Sequence, residues 1–272
     1  MNYVDFHVHV TPEEISANQK KYAENEPHFA ELSKSPHNGF STAEDVVAML
    51  EESQFDRAVV FGFAFNDHGL CRLVNDYVIE KTKQYPNKLT GFISAPSNGK
   101  FAEKEIDRCL GAGLQGVGEI FHINNENETH ILAGICVERN LPLIVHVNEP
   151  VGHYYPGKLS IELKRIEQFV KNNQKLRIVL AHWGGGLMFY EAMPEIREEF
   201  RNVYYDTAAT PFLYDESIYH AAISLGLSHK IVFGSDYPLL SPRRYMKAID
   251  SLPLVDQNVI LGGNAQRLLE RP

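Results

Sequence analysis

Eight short, β-branched apolar runs recur along the chain, and each is followed by a stretch whose apolar residues have helical spacing. The runs expected as strands are Tyr3–Val10, Arg57–Phe63, Leu89–Ala95, Gly116–Ile120, Leu141–Val147, Leu176–Ala181, Val203–Asp206 and Lys230–Phe233. Helices are expected over Thr42–Ser53, Leu70–Gln84, Ala102–Gly111, Thr129–Arg139, Leu159–Asn172, Pro194–Phe200, Asp215–Gly226 and Pro242–Leu252, with Asn264–Glu270 closing the chain. Strands that are apolar almost throughout are buried on both faces, which is the habit of parallel sheets covered by helices. The alternation therefore predicts an α/β protein, a (β/α)8 barrel. A doubly wound open sheet is the competing architecture, but no Gly-rich phosphate loop follows the first strand.

The chain has 272 residues and no Gly/Ser/Pro-rich linker, so a single domain over 1–272 is expected. Residues 11–40, rich in Glu, Lys, Asn and Pro, are too long for a routine connection and read as a lid or a surface excursion. A formal charge of −9 leaves no basic footprint and argues against nucleic acid as a partner. No apolar run is long enough for a membrane span, and the start lacks the basic residues of a secretory signal, so a cytoplasmic protein with a small-molecule substrate is expected. The composition leaves room for a homo-oligomer. Cys71, Cys109 and Cys136 are far apart and lie in apolar stretches, which reads as three reduced, buried thiols.

In a barrel of this type the site is built at the carboxyl ends of the strands. Those ends carry His7 and His9, Glu119, His146, His182 and Asp236. Residues i and i+2 of a strand share a face, so His7 and His9 project together, and two adjacent neutral imidazoles suit one divalent cation. Any one of these residues alone would more often be structural: a hydrogen-bonded histidine, or, for Asp236, a helix cap before Pro242. Six potential ligands on five different strand ends point to a metal centre.

With His7-Val8-His9, His146, His182 followed by Trp183-Gly184-Gly185-Gly186, the turn Gly234-Ser235-Asp236-Tyr237-Pro238, and Gly263-Asn264-Ala265 with Arg267-Leu268-Leu269, the chain resembles the amidohydrolase superfamily from His7 to Leu269. The resemblance is to its amidohydrolase-related branch of metal-dependent TIM-barrel hydrolases, which also includes non-oxidative decarboxylases. It implies that His7, His9 and Asp236 hold one metal, and that His146 and His182 either hold a second or divide into a ligand and a catalytic base. Many members carry a carboxylated lysine on the fourth strand, but residues 115–120 contain no lysine. Glu119 would take its place as a bridge, as in two-metal members, and this tilts the expectation toward two ions and hydrolysis of an ester, lactone, amide or phosphoester. Asp236 would then be both metal ligand and proton relay, beside His182 as the other catalytic candidate. Zinc suits the imidazole-rich set, while manganese, iron and nickel suit the same donor types. The alternatives are a one-metal non-oxidative decarboxylase and a non-enzymatic metal-binding protein. Substrate contacts are expected from the loops after the strands: Arg243 or Arg244 as a clamp for a carboxylate or phosphate, with His153 and Tyr154.

Overall fold

A computed structural model describes residues 2–35, 39–95, 99–121, 126–148, 151–152, 158 and 160–270. Strands β1 (Val4–His9), β2 (Arg57–Phe61) and β3 (Leu89–Gly91) pair in parallel, as do β4 (Val117–Ile120), β5 (Leu143–Val145), β6 (Ile178–Leu180), β7 (Val203–Asp206) and β8 (Ile231–Val232). Backbone bonds join the two groups at both seams. Ile93 N donates to Gly116 O at 2.9 Å and Gly118 N to Ile93 O at 3.1 Å, while Phe6 N donates to Phe233 O at 2.7 Å and His9 N to Tyr237 O at 2.8 Å. The eight strands thus close into the expected TIM barrel.

Alternate residues of each strand separate two apolar layers. Val4, Phe6, Val59, Phe61, Phe92, Ile144, Val179 and Val232 fill the barrel, with Phe6 and Phe92 packed edge to face. Their neighbours, such as Val60, Leu143, Val145, Ile178, Leu180 and Ile231, face the surrounding helices. Two of those helices show why they begin where they do. Ala43–Ser53 starts with a capping box between Thr42 and Asp45, and His68–Gln84 starts with Asp67 accepting from Leu70 N at 2.9 Å. The helix expected from Leu159 begins at Leu163. Among the described residues the three cysteines are buried, free thiols, and no helix is long and apolar enough to cross a membrane.

Within 11–40 lie three short helices, Glu13–Ala17, Gln19–Ala23 and Pro27–Lys34. Their apolar residues Ile15, Tyr22 and Phe29 pack on Phe63, Phe65, Cys71 and Val74 beyond β2. Buried Glu26 fastens the segment there by accepting from Asn66 N at 2.9 Å and Asp67 N at 2.7 Å.

The strict two-residue alternation fails where the site begins. In β1, Phe6 faces the barrel interior, so His7 and His9 would point outward if the strand were regular. A register shift between Asp5 and Val8 turns both inward, the usual consequence of a β-bulge beside a functional site. A second shift, between Val117 and Ile120, does the same for Glu119. It needs glycine at 118, where φ is +148° and a Cβ would lie 2.6 Å from Ile144 Cβ. Gly118→Ala is therefore expected to cost about 1–3 kcal/mol of stability through strain and overpacking, read as a lower urea midpoint. An unchanged midpoint would show that β4 can relax around the methyl group.

Candidate metal centre

The six residues drawn from five strands meet in two sets at one end of the barrel. His7, His9 and Asp236 form the first: the Nε2 atoms of the histidines are 3.2 Å apart, and Asp236 Oδ1 lies 3.7 Å from His7 Nε2 and 3.3 Å from His9 Nε2. Glu119, His146 and His182 form the second. His146 Nδ1 is 3.0 Å from Glu119 Oε1 and 3.3 Å from His182 Nε2, which in turn is 3.7 Å from Glu119 Oε1. Glu119 spans the two, because its other oxygen, Oε2, lies 3.8 Å from His7 Nε2 and 3.9 Å from His9 Nε2.

Local backbone geometry aims these side chains. His182 and Trp183 adopt left-handed conformations with φ of 55° and 58°, and Asp236 has φ of 63°. Such conformations are costly for residues with a Cβ and persist where the surroundings fix them. Trp183 is held by its indole Nε1, which donates to Thr210 Oγ1 at 2.8 Å. Gly234 lets the end of β8 approach β1, since a Cβ there would lie 2.7 Å from His7 Cβ.

The chemistry of the donors fits divalent cations. Metal–ligand bonds of about 2.0–2.1 Å place neighbouring donors roughly 3.0–3.4 Å apart, close to the spacings within each set. Glu119, Asp236 and the buried Asp206 bring three carboxylates together, and the ion pairs of the described residues set only histidines against Glu119, Asp206 and Asp236. Buried carboxylates of this density need positive charge. Without a cation, His7 supplies it. Burial opposes charge on His7, but Asp206, Glu119 and Asp236 outweigh it and push its pKa up to about 10. Burial likewise opposes ionisation of Glu119, yet His146 and His7 hold it down at about 2. Asp236 lies below the usual carboxylate range because the bond to His9 and the charges of His7 and His182 outweigh its burial. His182 is lowered by burial and by His146.

A cation entering the first set must therefore displace a proton from His7 at neutral pH, since a ligand nitrogen has to be deprotonated. Affinity there is expected to rise with pH up to about 10, the proton being the competitor, and to weaken in acid. Titration calorimetry in buffers of different ionisation enthalpy reads the released proton directly; no proton release near pH 7 would contradict this.

Asp206, at the end of β7, was not among the expected site residues, yet its Oδ2 lies 2.8 Å from His7 Nδ1. The available signal was a carboxylate at the site end of a strand, on the interior face it shares with Tyr204. Arg243, expected as a substrate clamp, donates from its guanidinium to the carbonyl of Glu52, at the end of the helix Ala43–Ser53. Carbonyls at a helix end lack partners within the helix and attract such donors. Arg244 lies over the ring of Phe212, 6.0 Å from its centroid, in the segment after β7. His153 and Tyr154 lie outside the described residues. Phe61 lies edge-on to both His7 and His9, and the ring of Phe121 lies 5.3 Å from that of His146.

A closed parallel barrel with imidazoles and carboxylates gathered at the carboxyl ends of its strands is the architecture of TIM-barrel metalloenzymes. The chain belongs to the amidohydrolase family, an enzyme family whose profile matches residues 4–271. No curated protein matches the sequence. Similar solved structures include 5-carboxyvanillate decarboxylase LigW from Sphingomonas paucimobilis, 15% identical, with 98% of each chain covered and a TM-score of 0.79. A candidate amidohydrolase from Staphylococcus aureus is 18% identical, with 99% of each chain covered and a TM-score of 0.74. A dihydroxybenzoic acid decarboxylase from a Polaromonas species, which holds manganese and the inhibitor 2-nitroresorcinol, is 17% identical, covers 99% of this chain and 97% of its own, and has a TM-score of 0.72.

Proposed function

We propose that this chain is a divalent-metal-dependent hydrolase of a small-molecule ester, lactone, amide or phosphoester. The observation that carries the reading is Glu119, whose two oxygens face two different sets of histidines. One carboxylate between two sets of donors is the arrangement that two cations and a bridge require. His7, His9 and Asp236 would hold one ion and His146 and His182 the other, with Glu119 between them; both zinc and manganese suit this mixture of donors. Bound there, divalent cations would polarise the substrate's carbonyl or phosphoryl oxygen and bring the pKa of water toward neutrality.

The protein's own groups have the remaining tasks. Asp236, a carboxylate at neutral pH, accepts a proton as water adds to the scissile centre, and returns it to the departing oxygen or nitrogen. One bond to water oxygen forms, one bond to the leaving group breaks, and the proton passes between them through one carboxylate. His182 carries its proton on Nδ1, toward the carbonyl of Ala208 at 3.1 Å, and so turns the lone pair of Nε2 toward His146 and Glu119.

Decarboxylation of an aromatic acid is the second reading, favoured by whole-chain likeness to several decarboxylases. It would use one cation, with His182 as acid/base. Metal counting by anomalous scattering, beside a panel of lactones, amides, phosphoesters and aromatic carboxylates, separates the two. Two ions with turnover of a hydrolysable substrate support hydrolysis. One ion, Glu119 turned aside, and release of carbon dioxide from a hydroxybenzoate without bond hydrolysis support the decarboxylase.

A further inference from the structure

The geometry points to Asp206 as the positioning residue that presets both halves of the metal centre at once, an inference that rests on the two-set reading above. Its carboxylate is fully buried and each oxygen has separate work. Oδ2 meets His7 Nδ1 at 2.8 Å, which keeps a proton on Nδ1 toward Asp206 and makes Nε2, the nitrogen facing His9 and Asp236, the one that gives up its proton and turns its lone pair to a cation. Oδ1 accepts from two backbone amides, His182 N at 2.8 Å and Ala208 N at 3.0 Å. The second of these fixes the turn whose Ala208 carbonyl, 3.1 Å from His182 Nδ1, takes the proton on that ring and leaves His182 Nε2 facing His146 and Glu119. One carboxylate thus holds a histidine of the first set directly and a histidine of the second through the backbone.

The two oxygens can be separated by substitution. In Asp206→Asn the amide oxygen must stay with the two backbone N–H donors, because an NH2 group there would set donors against donors. The NH2 group then faces His7 Nδ1, which has to accept, and the His7 proton moves to Nε2, where it blocks the cation. The second set keeps its geometry. Asp206→Ala removes both supports.

Manganese titration by electron paramagnetic resonance, with thermal melting as the folding control, tests this. Asp206→Asn is expected to weaken the ion at His7 and His9 by about 10–100-fold while leaving the other near its wild-type affinity; Asp206→Ala should weaken both. Anomalous scattering from manganese-soaked Asp206→Asn assigns the surviving ion, expected beside His146 and His182. Should Asp206→Ala fail to fold, Asp206→Asn decides alone. Wild-type affinities in a folded Asp206→Asn variant, or equal loss of both ions, would overturn the role of Asp206. A single ion in the wild type would instead overturn the two-cation reading; Asp206 would then be judged on whether Asp206→Asn weakens that ion.

Discussion

Asp236→Asn, measured at saturating metal, is expected to lower kcat by about 10²–10⁴-fold, the range for removal of a general acid–base group, with a much smaller change in metal content. The reasoning turns on what the amide keeps. Its oxygen still faces His7 and His9 and can still serve as a neutral donor, but it can no longer take up a proton from water and hand it on. His9→Ala is the contrast, because deleting an imidazole 3.2 Å from its partner nitrogen should lose the ion and the activity together. Metal analysis must accompany the kinetics, since the claim is about loss of rate beyond loss of metal. Full activity in metal-loaded Asp236→Asn would remove Asp236 from the proton path and leave it as a ligand only.

Glu119→Gln should reduce the bound metal from about two equivalents toward one, with a large loss of rate. The side chain keeps its shape but loses the negative charge that two neighbouring cations share, and one of its two oxygens becomes an NH2 group that cannot ligate. The ion at His7, His9 and Asp236 retains three protein donors. The ion at His146 and His182 is left with two, so it should be the one lost. Burial opposes the charge of Glu119, but before a cation binds His146 and His7 hold its pKa at about 2, so the carboxylate is already ionised when the ions arrive. Full double occupancy in Glu119→Gln would show that the carboxylate is not needed as a bridge.

Asp206→Asn and Glu119→Gln make opposite cuts: the first should spare the ion at His146 and His182, the second the ion at His7 and His9. Paired measurements on the two variants therefore test the division of the site itself.

Much of the architecture was legible because it follows from local rules. Every expected strand reappears within a few residues of its place, since buried parallel strands must be apolar on both faces and that pattern survives any detail of packing. His146 could also be placed by period, being two residues beyond the interior residue Ile144. His7, His9, Glu119, His182 and Asp236 could not. The first three stand out of phase with their strands until a register shift turns them, while His182 and Asp236 depend on left-handed backbone beyond the ends of β6 and β8.

The sequence by itself determined the barrel, the rim at which chemistry collects, and the kinds of donor found there, because apolar periodicity and residue type are properties of each segment alone. Tertiary structure decided which nitrogen of each ring faces the centre, how six donors divide into two sets, and that Asp206 joins both. It also gave Arg243 to the end of a helix. These are relations between segments up to 229 positions apart in the chain, counted from His7 to Asp236 (236 − 7). They are fixed by bulges, tight backbone turns and the closure of β8 onto β1, where angstrom-scale displacements decide whether a side chain points into the barrel or away from it.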